Sequence, residues 1–297
     1  MADHGHDLVF GTLLEPPERA HDVVELAELC DQVGLDLVTL SDHPYWPERL
    51  DTVALLSAIV ARTTRVRVMP NLMNLPLRPP AMLARMATTL DILSDGRFDL
   101  GVATGAQQLW DSIVAEGGPA RSAAESIEAL EEAVQIIRAL WASDADVTFE
   151  GKHYHLRGAK PCPAPVHDIA IWLGAYQPRM LRRTGRTADG WLPSSSAMPP
   201  EGLAAAGKLI DEAATEAGRS PAAVRRGYNI EGNFSGTGAG FLQGPPAVWV
   251  EQLTELALVH GISAFILYRV SSADVIKEFA EDVAPAVRET VAAERSR

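Results

Sequence analysis

Apolar and polar positions along this chain alternate between two periods. Short apolar runs of strand character recur at "LVFGTLL" (8–14), "LDLVTL" (35–40), "RVRVMPNL" (65–72), "RFDLGVA" (97–103), "IAIWLG" (169–174), "GWLP" (190–193), "RGYNIEGNF" (226–234) and "SAFILYRV" (263–270). Between them the apolar residues fall at helical spacing. In "ERAHDVVELAELCDQVG", Val23, Val24, Ala27 and Cys30 share one face and Gly34 ends the pattern. Similar stretches begin with Pro or Asp, as first-turn residues should.

Eight strands alternating with eight helices imply a parallel sheet. A count of eight favours a closed (β/α)8 TIM barrel. The competing open, doubly wound sheet wants a Gly-rich fingerprint at the first strand–helix turn. That turn reads "GTLLEPPERA" and has none. Two segments break the rhythm of what otherwise reads as a single domain over 1–297. "VTFEGKHYHLRGAKPCPAPVHD" (147–168) reads as a β-hairpin insertion turning near Glu150–Gly151, and "SGTGAGFLQGPP" (235–246) as a Gly-rich loop after the seventh strand, a lid over the substrate.

Composition narrows the class. With 297 residues, 47% apolar, the chain can bury one large core. No apolar run reaches membrane-spanning length, and "MADHGHDLVF" does not read as a signal peptide. Two distant cysteines make no disulfide framework, so a cytoplasmic location is expected. A formal charge of −13 argues against a nucleic-acid surface but not against a local anion site. The histidine pairs at 4–6 and 153–155 lack a third ligand, so no metal site is expected.

In such a barrel the chemistry sits at the C-terminal ends of the strands. The second strand ends in Ser41-Asp42-His43, followed by Tyr45 and Trp46 between two prolines. Pro70 interrupts the third strand, which predicts a bulge there. The fourth ends at Thr104-Gly105, where glycine admits close backbone approach. After the fifth, Gly174-Ala175-Tyr176-Gln177 opens a helix at Pro178 whose amides could cradle a phosphate near 174–178, with Arg179, Arg182, Arg183 and Arg186 on the same helix. Met69, Met73, Tyr45, Trp46 and Trp110 read as core, or as an apolar pocket suited to a flat ring.

Taken together, "LVTLSDHPYWP", "RVRVMPNLMNLPLRPPAMLARMATTLDILSDGRFDLGVATGA", "VTFEGKHYHLRGAKPCPAP" and "IWLGAYQPRMLRRTGRTADGWLP" resemble the luciferase-like flavin and deazaflavin oxidoreductases. The resemblance implies a barrel that binds the deazaflavin coenzyme F420, or alternatively FMN. It places Asp42 and His43 beside the ring as catalytic residues. It places a bulge behind the ring, often with a non-prolyl cis peptide, which by position involves Pro70 and Asn71, with Met73 close by. It assigns Thr104, Gly105 and Ala106 to the fourth-strand turn of the cofactor site, and Gly174, Ala175, Tyr176 and Gln177 to the phosphate loop. A homodimer is expected.

One departure bears on substrate. Sugar-phosphate dehydrogenases of this group carry a carboxylate just after the Thr-Gly of the fourth strand. Here Ala106, Gln107 and Gln108 follow, and none is an acid. His43 is left as the acid/base candidate, with Glu15 as a second. The reading is therefore F420-dependent hydride transfer to or from a small organic molecule. The alternatives are an FMN-dependent monooxygenase fed by a separate flavin reductase, and a non-catalytic flavin-binding protein.

Overall fold

The structure, a computed structural model, describes residues 3–297 except 16–19, 106, 239 and 271. Eight parallel strands form the barrel: β1 (Val9–Leu14), β2 (Leu37–Leu40), β3 (Arg67–Pro70, resuming at Met73–Asn74), β4 (Leu100–Ala103), β5 (Ile171–Leu173), β6 (Gly190–Trp191), β7 (Arg225–Ile230) and β8 (Ala264–Val270). Each pairs with its sequence neighbour, and β8 returns to β1 with Val9 opposite Ala264. The ring closes through the interrupted strand. Arg67–Pro70 pairs with β2, while Met73–Asn74 pairs with Val102–Ala103 of β4. All eight expected strands are present, most shortened at their ends.

The helices are α1 (Ala20–Val33), α2 (Thr52–Arg62), α3 (Pro80–Ser94), α4 (Trp110–Ala115), α5 (Ala123–Ala142), α6 (Pro178–Thr187), α7 (Pro200–Glu216), α8 (Pro246–His260), α9 (Ala273–Glu278) and α10 (Ala284–Arg295). Two differences from the expected eight have local causes. Trp110–Ala115 forms a short helix within the loop after β4. The last helical stretch is divided by a wider π-turn at Phe279–Val283. Pro285 follows it and has no N–H to give, so a regular α ladder cannot run through this point.

Local signals set the ends of the longer helices. Ser122 and Glu125 form a reciprocal capping box at the start of α5. Gly261 takes a left-handed conformation (φ 65°) to end α8. The apolar faces of the helices pack on the outside of the barrel in one large core. A smaller set, including Leu13, Leu37, Met69, Trp172, Leu192 and Ile266, fills the barrel interior.

The hairpin insertion is present as Val147–Glu150 antiparallel to His155–Ala159. Glu132 of α5 holds its turn by accepting from the amides of Lys152, His153 and Tyr154. Within the Gly-rich stretch, Gln243–Gly244 pairs with Asn233–Phe234. No helix among the described residues is long and apolar enough to cross a membrane.

Candidate active site

A cavity of about 610 Å³ opens at the C-terminal ends of the strands. Its size falls in the usual range for a small-molecule site. A second, shallower cleft at the opposite face is lined by Gly5, His6, Asp7, Asp189 and Arg225. It lies where strands begin, the end of such barrels that serves stability, and carries no chemistry comparable to the first.

The second strand delivers Asp42 and His43 to the cavity, but in different states. The Asp42 carboxylate is buried and saturated: Arg78 donates to both oxygens at 2.9 and 2.8 Å, and the Asn74 amide donates at 2.9 Å. Such a group anchors its loop. His43 is half-buried. Its Nδ1 lies 2.8 Å from the Tyr45 hydroxyl, and its ring stacks on Trp46 with centroids 4.2 Å apart. Burial and the nearby Arg49 charge hold its pKa below the ordinary value, so the imidazole is neutral near pH 7. Glu15 pairs with Arg49 at 3.2 Å and with Arg269 at 3.4 Å, and does not line the cavity.

The third-strand bulge is where expected, but the cis bond lies one residue later, at Asn71–Leu72 rather than between Pro70 and Asn71. Pro70 still sits opposite Leu40, and the Asn71 amide donates to Leu40 O at 2.7 Å. The sheet ladder thus runs through the Pro70–Asn71 bond, and the chain departs from it only afterwards. Two glycines make room for this segment. A Cβ on Gly101 would come within 2.2 Å of the Pro70 carbonyl oxygen, and one on Gly174 within 2.7 Å of Leu72 Cδ1.

Not every expected residue reaches the cavity. Asn71, Thr104, Gly105, Gly174, Tyr176 and Gln177 line it. Pro70, Met73 and Ala175 do not. The strand pleat turns Met73 into the outer core and its neighbour Asn74 toward the cavity. Ala175 is buried, with its carbonyl accepting from Trp191 Nε1. Ala106 lies outside the described residues. The arginines of α6 point elsewhere. Arg179 and Arg183 pair with Glu128 and Glu131 of α5, and Arg182 and Arg186 pair with α7 carboxylates. Among the described residues, no Lys or Arg lines the cavity.

Several lining residues were not anticipated. Ser194, Asn229 and Tyr268 follow or end β6, β7 and β8, so their place at strand ends was a usable signal. Asn229 and Asn71 exchange amide hydrogen bonds at 2.8 and 3.3 Å across the barrel, with Thr39 and Ser194 completing the set. Ala123, Ser126 and Ile127 come from the first turns of α5, which no strand-end rule could identify. Two buried polar atoms of lining residues, Asn74 Oδ1 and Trp110 Nε1, have no partner among the described residues. They are the kind of group a bound ligand satisfies. No cluster of potential metal ligands occurs among the described residues.

A barrel interrupted at its third strand, with an Asp–His pair and a mainly apolar cavity carrying a few polar groups at the C-terminal face, is the arrangement of a small-molecule enzyme site. The family model for luciferase-like monooxygenases matches residues 7–231, and the chain belongs to that family. It is 33% identical over 181 residues to the F420-dependent glucose-6-phosphate dehydrogenase of Amycolatopsis mediterranei (strain U-32), covering 59% of this chain and 53% of that protein. Against the enzyme of the same name from Nocardia farcinica (strain IFM 10152), identity is 32% over 208 residues, covering 64% and 61%. The chain thus spans just over half to about three-fifths of the length of these curated relatives. An F420-dependent secondary alcohol dehydrogenase in complex with an F420-acetone adduct superposes with a TM-score of 0.82 at 20% identity, over 95% of this chain and 99% of that one. A monooxygenase from Streptomyces bottropensis gives 0.78 at 24% identity, over 94% and 99%. These two likenesses establish the shared fold.

Proposed function

We propose that this chain is an oxidoreductase that binds coenzyme F420 in the cavity and moves hydride to or from a small organic substrate. The observation that carries this reading is the kinship, at 32–33% identity, with relatives named as F420-dependent enzymes. The cavity fits a flat ring. The bulge at Asn71–Leu72 forms one wall, backed by Gly101 and Gly174, and the unpartnered Asn74 Oδ1 and Trp110 Nε1 offer an acceptor and a donor.

When bound, the deazaflavin supplies or accepts the hydride. The chain's own residues do the rest. Asn71, Thr104, Gly105 and the Gly174–Gln177 turn position the ring and its tail. Neutral polar groups, rather than the α6 arginines, receive the phosphate. Asp42 keeps the loop in place through Arg78, and His43 handles the proton at the substrate oxygen. The sugar-phosphate activity of the named relatives is not part of this reading. Ala106 stands where the family resemblance implies a carboxylate in sugar-phosphate dehydrogenases, and no cationic side chain among the described residues faces the cavity to meet a sugar phosphate.

The test is a parallel fluorescence-quenching titration with oxidised F420 and with FMN. F420 binding tighter than FMN is expected. FMN binding with no F420 binding would establish the second reading, a monooxygenase supplied with reduced FMN by a separate reductase, in keeping with the fold shared with the Streptomyces monooxygenase. Tight binding without turnover on any carbonyl or alcohol panel would leave a non-catalytic flavin carrier. A homodimer belongs to the same proposal and is checked by sedimentation.

A further inference from the structure

We propose that Asn74 and Tyr45 form a hydrogen-bond relay that fixes the tautomer of His43, so that its Nε2 carries the hydrogen and His43 serves as a hydrogen-bond donor to a ligand oxygen. The inference rests on the reading of His43 as the proton-handling group of the cavity. It goes further by naming which ring nitrogen holds the proton and what chemistry the cavity then prefers.

The geometry is a chain of three side chains. Asn74 Nδ2 lies 3.5 Å from the Tyr45 oxygen, and that oxygen lies 2.8 Å from His43 Nδ1. All three residues line the cavity. A phenol has one proton to donate. Burial pushes the Tyr45 pKa up to about 12, so that proton stays on the oxygen across the working range. The phenol oxygen could also accept from both neighbours, but its own hydrogen would then have no acceptor among the described residues, so the two directions that use it are favoured. In one, Asn74 donates to Tyr45, Tyr45 donates to His43 Nδ1, and Nε2 bears the imidazole hydrogen. In the other, His43 Nδ1–H donates to Tyr45, Tyr45 donates to an inverted Asn74 amide, and Nε2 is a bare acceptor.

The unpartnered atom decides between them. In the first direction the group left over is Asn74 Oδ1, a buried carbonyl-type oxygen without a partner among the described residues. Inverting the amide would instead leave an N–H pair buried beside the cavity. Orphaned buried N–H groups are rarer than under-satisfied carbonyl oxygens, so the first direction is favoured. The Trp46 stack holds the imidazole plane, and the Asn74 main chain is tied to Asp42 at 2.9 Å, which places the relay on a fixed base.

The consequence is a preference in ligand chemistry. An Nε2–H meets an oxygen that lacks its own proton, a carbonyl or an alkoxide. Asn74 Oδ1 remains available to a ligand O–H or N–H. The cavity is thus set to accept the carbonyl form of a substrate couple, with the Nε2–H donating a hydrogen bond to its oxygen.

The test uses the ligand-free protein and nitrogen-15 histidine NMR, with the His43 signals identified by their absence in His43→Gln. Two-bond couplings should show the Nε2–H tautomer, with Nδ1 shifted upfield of a free imine nitrogen by the Tyr45 bond. In Tyr45→Phe, which keeps the ring and loses the hydroxyl, Nδ1 should move downfield. An Nδ1–H tautomer in the wild-type protein would overturn the proposal, as would an Nδ1 shift unchanged by Tyr45→Phe. Because no cofactor is present, a wrong cofactor assignment cannot produce either result. It would appear separately, in the F420 and FMN titrations.

Discussion

Replacing Arg78 by leucine should separate anchoring from chemistry at the second-strand end. The Asp42 carboxylate is only 1% exposed and receives two of its three hydrogen bonds from Arg78. Arg78→Leu leaves that charge buried with one amide donor. Removing one partner of a buried ion pair costs about 3–5 kcal/mol. The reverse change, Asp42→Asn, should cost less. Arg78 is 21% exposed and keeps Asp51 at 2.9 Å, and an asparagine Oδ1 can still accept from the Asn74 amide. The expected order is therefore Arg78→Leu well above Asp42→Asn. Urea denaturation with unchanged m-values reads both. Because His43 adjoins Asp42, Arg78→Leu should also weaken cofactor binding. An Arg78→Leu loss below about 1 kcal/mol, the range of exposed pairs, or the opposite ranking, would refute the anchoring argument.

Further outcomes follow from the same geometry. Gly101→Ala should destabilise the fold by about 1–3 kcal/mol, the usual cost of overpacking, because the new Cβ meets the Pro70 carbonyl at 2.2 Å. It should also weaken ligand binding, and wild-type stability and affinity in that variant would remove the close-approach role. His43→Ala should slow the chemical step by roughly 10²–10⁴-fold with a much smaller change in cofactor affinity, read by single-turnover kinetics. A rate within about threefold of wild type would return His43 to a structural role. Burial pushes the Asp99 carboxyl up, but the His167 hydrogen bond and Arg67, at 2.9 Å, outweigh it and hold the pKa below 3.8. Its contribution to stability is then present above 3.8 and lost as pH falls through the folded value. Acid titration of Asp99→Asn should lack that component, and an identical acid profile would contradict the assignment.

The sequence by itself determined the barrel and much of its mouth. Apolar runs with period two, separated by helical spacing with Pro, Asp and Gly at the ends, are local signals, and each marked strand formed. Position at a strand end was enough to bring His43, Thr104, Gly105 and Gly174 to one face. What the sequence could not reveal depends on where distant segments meet. The cis bond lies at Asn71–Leu72, directly after the residue whose amide still donates to Leu40 O, a pairing made across the sheet and not along the chain. Met73 turned outward and Asn74 inward because the resumed strand takes its register from Val102–Ala103. The α6 arginines, which in one dimension look like a phosphate site, met carboxylates on α5 and α7. The state of His43 was likewise tertiary. Its neighbours in sequence, Tyr45 and Trp46, fold back onto it, but the group that orients Tyr45 is Asn74, twenty-nine positions away. A residue type and its period are written locally, whereas the partner that satisfies a buried polar atom is chosen only when the chain closes.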